Sequence, residues 1–306
     1  MQWFKNLRIY RLTKPIRFTP ETIAEKLAQH EFQPCGNLDP VKYGWTLPLG
    51  RHGSEFVHAA NDYILIAAKR QEKIIPGALI KEQLENRLQE IRDEESRFVG
   101  RAERQTLKDE IIFSLLPKAL AKSSFDFAYI DKQNSLLVVN TSSAKRAEEL
   151  ISALRESLGS LKLVPFSVQK TPAHVMTNWL RTGKINKRFE LGEECELQAA
   201  KDGRVIRCKK QDLTAHEILN HLESGMLVSK VAITWNEAIS CIIDDQLGIK
   251  RIKYEDAIQE KAKEQDAESA VEQMDIDFSI MTVELAAFIN DLAKVFGGQA
   301  EETEEF

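Results

Sequence analysis

The chain has 306 residues, 43% hydrophobic and 29% charged, which fits two or three globular units at about 150 residues each. No apolar run is long enough to span a bilayer, and Met1-Gln2-Trp3-Phe4-Lys5 lacks a secretory h-region and cleavage signature, so a cytosolic protein without a membrane partner is expected. The formal charge of −5 hides an asymmetry: residues 255–306 carry 3 Lys and Arg against 15 Asp and Glu, and the other 254 carry 39 against 32, a basic body with an acidic end that could hold a polyanion on one face.

Trp3 to Leu12 reads as a strand, with Leu7 and Ile9 inward and Arg8 and Tyr10 outward. Thr19-Pro20 opens a helix that runs to about His30. Asn37 to Gly53 is rich in Gly, Pro, Asn and Asp and reads as a loop anchored by Trp45. Phe56–Ala60 and Tyr63–Ala68 read as a hairpin turned by Asn61-Asp62. Pro76-Gly77 then breaks the pattern. Leu84, Leu88 and Ile91 mark one helix, and Leu107, Ile111, Ile112, Leu115 and Leu116 a second, stopped by Pro117. Their apolar stripes are narrow, so an αα-hairpin arm projecting from the body is expected. Phe125–Asp131 and Leu136–Asn140 return as strands, Ser143–Leu158 as an amphipathic helix closed by Gly159, and Leu163–Val168 as a strand.

Thr171-Pro172 caps a helix through Thr182, where a second boundary falls. Lys184–Gln211 reads as short strands. A helix over Ala215–Glu223 and strands over Leu227–Trp235, Ile239–Asp244 and Ile249–Tyr254 follow. The last helix carries Leu285, Phe288, Ile289, Leu292 and Phe296 and stops at Gly297-Gly298. Gln299 to Phe306 reads as disordered. The expectation is an α+β protein: a central β/α body (1–75 plus 123–170), a helical tip arm (76–122) and a strand-rich base with an acidic end (171–306).

Residues 204–217 carry the main functional signal. Ile206 and Cys208 would point one way along a strand, and Val205, Arg207 and Lys209 the other. Thr214 is placed to cap the next helix, with Glu217 completing a capping box. Between them Lys209, Lys210 and Gln211 offer two cations and an amide, a set suited to a phosphate backbone. Lys250, Arg251 and Lys253 add cations on the last strand of the base, and Arg204 opens the motif.

Catalytic patterns fail. His216 and His221 stand five residues apart, about 140° around a helix, where zinc chelation needs one turn; they read as surface residues. There is no Walker-type loop, dinucleotide fingerprint or nucleophile elbow. Asp244-Asp245 and Asp275/Asp277 could serve a two-metal nuclease, but a structural role is favoured. Cys35, Cys195, Cys208 and Cys241 are far apart in sequence and form no C-x-x-C pair, so reduced, mostly buried thiols are expected. No cofactor or metal is called for.

Taken in order, Trp3-Phe4-Lys5-Asn6-Leu7, Phe32-Gln33-Pro34-Cys35-Gly36, Leu107-Lys108-Asp109-Glu110, Ser114-Leu115-Leu116-Pro117, Lys209-Lys210-Gln211-Asp212-Leu213-Thr214, and Met281-Thr282 with Glu284-Leu285-Ala286-Ala287 resemble the RdgC family of bacterial recombination-associated proteins. The resemblance implies a homodimer closed into a ring around double-stranded DNA, binding without sequence preference on the nucleoid and restraining the RecA recombinase. It places Lys210 and Gln211 at the family's Lys-Gln pair, implicated in DNA contact. Adjacent strand residues face opposite ways, so the two cooperate only if the strand ends there or Lys210 swings its long stem round. Arg204, Arg207, Lys209, Lys250, Arg251 and Lys253 are the further candidates for the lining. Relatives can have Phe after the Leu-Pro-basic-Ala run, where this chain has Leu120. With Leu115 and Leu116, Leu120 is the candidate dimer contact at the arm, keeping an apolar contact with less area. The alternatives are a metal-dependent nuclease and a protein that binds recombinase without DNA.

Overall fold

The computed structural model describes residues 3–256, 258, 260 and 267–300. Its strands form two antiparallel sheets. The first holds β1 (Arg8–Leu12), β2 (Val41–Thr46), β3 (Val57–Ala60), β4 (Tyr63–Ile74), β5 (Leu120–Asp131), β6 (Leu136–Val139) and β7 (Leu163–Pro165), in the order β2-β4-β5-β6-β1-β7. β3 pairs with β4 beside β2: Val57 opposes Ile66 and Thr46 opposes Ala67. The second runs β12-β11-β10-β8-β9 and comprises β8 (Phe189–Ala199), β9 (Val205–Lys209), β10 (Met226–Trp235), β11 (Ile239–Asp244) and β12 (Ile249–Tyr254).

The first sheet is covered on both faces. On one, α1 (Pro20–Ala28) and α4 (Ala144–Leu158) pack Ile23, Leu27, Leu150, Ile151 and Leu154 against Ile64, Ile66, Ala128, Ile130 and Leu137. Local chemistry starts both helices: Thr19 Oγ1 accepts from the Thr22 N–H at 3.3 Å, and Ser143 Oγ from the Arg146 N–H at 3.3 Å. Gly159, at φ +80°, ends α4 in the left-handed region that favours glycine. On the other face, Leu65, Tyr129 and Val138 share a core with the second sheet and with α7 (Ala270–Val295), which inserts Phe278, Met281, Leu285, Phe288 and Leu292. α5 (Pro172–Thr182) and α6 (His216–Glu223) cover the same side of the second sheet. The segment before β1 joins the two sheets: Leu7 and Ile249 exchange backbone hydrogen bonds at 2.8 and 3.1 Å.

Between β4 and β5 rises the arm, α2 (Gly77–Glu95) and α3 (Arg101–Leu115). β4 and β5 pair from Tyr63↔Asp131 to Ile74↔Leu120. Their body halves are buried, and beyond Lys69 they become a largely exposed ribbon. α2 buries only Leu84 and Ile91, and α3 buries nothing completely. Arg97 grips Glu103 with two bonds of 2.6 and 2.7 Å across the hairpin turn.

Several local expectations change. Val41–Thr46 is a strand where a loop was expected. Gly44 lets it lie against Phe32, whose Cα would be 2.6 Å from an added Cβ, and Trp45 donates from Nε1 to Ser157 Oγ at 2.8 Å. Tyr10 is buried because helices cover the face it points to. β8 is one strand of eleven residues with a bulge at Gly192, not short pieces. Thr214 does not cap α6; Ala215 holds that position, and both Thr214 N–H and Oγ1 donate to Asp212 Oδ1, at 2.9 and 2.7 Å. Gln299 and Ala300 are ordered along Val168 and Ser167, while residues 301–306 of that expected disordered stretch lie outside the described residues.

Candidate nucleic-acid interface

β9 alternates as its sequence implies: Val205, Arg207 and Lys209 are exposed, and Ile206 and Cys208 are half-buried against the core. Register supplies the rest of the site. Arg207 lies opposite Glu196, Lys209 opposite Glu194, and Glu196 opposite Lys230 of β10. On the face of the second sheet turned away from α7, these residues and Arg251 line a shallow cavity of about 330 Å³.

Glu196 is the pivot. Its carboxylate accepts from Arg207 Nε at 2.7 Å and from Lys230 Nζ at 2.5 Å. Partial burial raises its pKa, but the hydrogen bonds and charges of Lys230 and Arg207 outweigh that and hold it below the usual carboxylate range. Arg251 reaches Glu194 at 2.5 Å. A bulge in β12 sets Arg251 at φ +53° and moves it out of simple alternation. Lys230 was missed from the sequence because its only signal was one cation inside an apolar strand.

The strand ends at Lys209. Lys210 takes φ +54°, so alternation no longer separates it from Gln211. Gln211 uses its backbone N–H on Glu193 O at 3.3 Å, and both side chains are exposed. The other candidates divide. Arg204 pairs with Asp202 at 2.7 Å in the turn before β9. Lys250 reaches buried Asp244 at 2.8 Å, which also faces Arg8 at 3.6 Å. Lys253 is exposed and lies opposite Ser240. The cations therefore fall into two sets: Arg204, Arg207, Lys230, Lys250 and Arg251 hold carboxylates, while Lys209, Lys210 and Lys253 are exposed toward solvent. At the arm's root, Leu120 is 81% exposed, Leu115 is half-buried, and Leu116 is buried within its own chain.

Three of the four carboxylates weighed for metal chemistry are engaged elsewhere, and burial with the neighbouring Asp244 raises the pKa of the fourth, Asp245. Asp244 serves Arg8 and Lys250, Asp275 meets His58 at 3.0 Å, and Asp277 accepts from Gln273 at 3.1 Å. Among the described residues no group of three or more His, Cys, Asp or Glu could hold a metal ion. His216 and His221 are exposed on α6. The thiols are all free, and register brings Cys195 directly opposite Cys208 despite their distance in sequence. Burial, then the neighbouring Cys208, pushes the Cys195 thiol up to about 12. Among the described residues no helix is long and apolar enough to cross a membrane.

Residues 2–299 match the model of a family described as "Putative exonuclease, RdgC". The chain is 40% identical over 300 residues to the recombination-associated protein RdgC of Aeromonas hydrophila subsp. hydrophila, covering 98% of this chain and 99% of that protein. It is 39% identical over 302 residues to the proteins of that name from Yersinia enterocolitica and Yersinia pestis, covering 98% of this chain and all of theirs.

Proposed function

Because the chain belongs to the RdgC family of recombination-associated proteins, we propose that it acts without catalysis, as a homodimeric ring that encircles double-stranded DNA and restrains RecA by occupying the duplex. Lys210 and Gln211 are its leading DNA contacts. The carrying observation is the end of β9, where strand alternation stops at Lys210 and an exposed ammonium and an exposed amide follow in sequence beside a sheet with one open face. Lys supplies charge and Gln a donor to phosphate oxygens, neither of which reads bases. Lys209 and Lys253 extend the contact. Arg207, Arg251 and Lys230 are held in place by carboxylates, which lowers the local net charge and keeps the grip loose enough for sliding. Leu120 and its cross-strand neighbour Ile74, both exposed, give the arm an apolar contact for ring closure. Association with the nucleoid follows from this reading.

Anisotropy with a labelled duplex of arbitrary sequence, across a salt series, tests the proposal. A log–log slope of several counterions, reduced in Lys210→Ala/Gln211→Ala, is the expected result. No binding at low salt would sink it and favour direct recombinase binding, in which inhibition persists with DNA in excess. The family description also carries an exonuclease reading. Magnesium-dependent shortening of the end-labelled duplex in the same samples would establish that activity; a duplex of unchanged length is the result expected here. Sedimentation would report the dimer.

A further inference from the structure

The pairing of β8 with β9 brings two of the four thiols together. Ala199 N–H donates to Arg204 O at 2.9 Å, and the register then runs without a shift from Gln198↔Val205 to Glu194↔Lys209. Hydrogen-bonded pairs recur at every second residue of an antiparallel ladder. Leu197 with Ile206 and Cys195 with Cys208 are therefore such pairs, with Cα atoms about 5.5 Å apart. That lies within the span of about 4.4–6.8 Å over which a disulfide closes. Opposed residues point to the same face, here the one that packs on the α7 side. β9 is the edge of the sheet, and Cys195 is buried while Cys208 is half-buried.

The other two thiols face different groups. Cys241 lies opposite Ile233, and Cys35 donates from Sγ to Gln71 O at 3.3 Å. Among the described residues no third His, Cys, Asp or Glu joins Cys195 and Cys208 in a group that could hold a metal ion. Two thiolates fall short of the four ligands of a structural zinc site. Burial pushes the Cys195 thiol up to about 12, which makes it the slower of the pair to react. Cys208, half-buried on the edge strand, is the thiol that a small oxidant reaches first.

We infer that Cys195 and Cys208 are a site of reversible oxidation, at which hydrogen peroxide makes a cross-strand disulfide that clamps the end of β9 to β8. The Cys208 thiolate attacks one peroxide oxygen. An S–O bond forms, the O–O bond breaks, and the departing hydroxide leaves as water with the proton that Cys208 gave up, so that Cys208 becomes a sulfenic acid. The Cys195 sulfur then attacks the Cys208 sulfur. The S–S bond forms, the S–O bond breaks, and the second hydroxide leaves as water with the Cys195 proton. The two thiols lose two electrons, the peroxide gains them, and two waters result. Lys209 follows Cys208 directly, so the bond fixes the base of the turn that carries Lys210 and Gln211. The bond itself needs no DNA, whereas its bearing on duplex binding rests on the function proposed above.

Peptide mass mapping tests this on the full-length chain, treated with hydrogen peroxide while folded, then denatured and alkylated. The expected product is a linked pair of peptides holding Cys195 and Cys208, lighter by two hydrogens and separated by dithiothreitol, with Cys241 still open to alkylation. Mass mapping reads the bond whether or not the protein binds duplex. Amide exchange at Ile206 and Cys208 should slow at least about tenfold in the oxidised protein. Cys208→Ser should leave Cys195 reduced, and Cys195→Ser should leave Cys208 as a sulfenic acid that dimedone traps. Full alkylation of Cys195 and Cys208 at a peroxide dose that oxidises glutathione would overturn the inference. So would a disulfide that joins Cys208 of two chains, or exchange at Ile206 and Cys208 that oxidation leaves unchanged.

Discussion

The two sheets answer to different demands. The seven-stranded sheet is buried on both faces, so β4 reads as a run of buried residues from Tyr63 to Ala68 with no polar side. The five-stranded sheet is buried on one face only, so β9 alternates and the open face carries Arg207 and Lys209 with Glu196 and Glu194 opposite them on β8. A sheet sandwiched between layers can only hold the molecule together. A sheet open on one side can offer a surface whose side chains stand at the spacing of the strands, about 4.7–4.9 Å apart.

That contrast can be tested by substitution, the largest effect first. Phe288→Ala removes a fully buried side chain, 0% exposed, between Phe189 and Trp235. It should cost about 3–5 kcal/mol in urea unfolding; a loss under about 1 kcal/mol would mean that the shared core is looser than its burial implies. Lys210→Ala/Gln211→Ala should leave stability within about 0.5 kcal/mol while lowering the salt slope of duplex binding by about 1. An unchanged slope would move the contact elsewhere on the open face. Glu196→Gln should weaken the fold by about 1 kcal/mol, as for an ion pair whose carboxylate is partly buried while its cations reach solvent, and tighten duplex binding by releasing Arg207 and Lys230.

Glu196 also carries a pH signature. Its folded pKa lies below the unfolded one, so its stabilisation is complete above the unfolded value of about 4.3 and is lost as pH falls through the folded one. The stability gap between wild type and Glu196→Gln should therefore close on acidification below pH ~4; a gap that persists there would show that Glu196 does not act through its charge. The smallest effect is expected in the arm. Phe113→Ser, at a position 57% exposed, should shift monomer stability by less than about 0.5 kcal/mol. A larger loss would mean that α3 is held by more than its partner helix.

Much of this was legible in the chain. β1, α1, the β3–β4 hairpin, both arm helices, α4, the C-terminal part of α7 from Leu285 and β10 to β12 follow from period and punctuation alone, while α7 starts further back, at Ala270. β2 was not, because the Pro, Gly, Asn and Asp around Val41–Thr46 read as loop, and only pairing with β4 makes it a strand. Tyr10 was placed outward because alternation cannot tell whether a second layer covers that face. For the candidate site, the end of the strand at Lys209 was foreseen as the condition for Lys210 and Gln211 to act together. Lys230, Glu194 and Glu196 were not foreseen, since their meeting depends on strand register across bulges near Ser229 and Gly192.

The sequence by itself determined the α+β alternation, the projecting arm, the basic turn after β9 and the family. Those are local patterns, or the order of such patterns along one chain. Only the tertiary structure decided which faces are covered, which carboxylate holds which cation, that Cys195 faces Cys208, and that Gln299 enters the edge beyond β7. Each depends on residues brought together from separate stretches of the chain, and strand register, once set by the packing of one buried face, dictates every neighbour on the other.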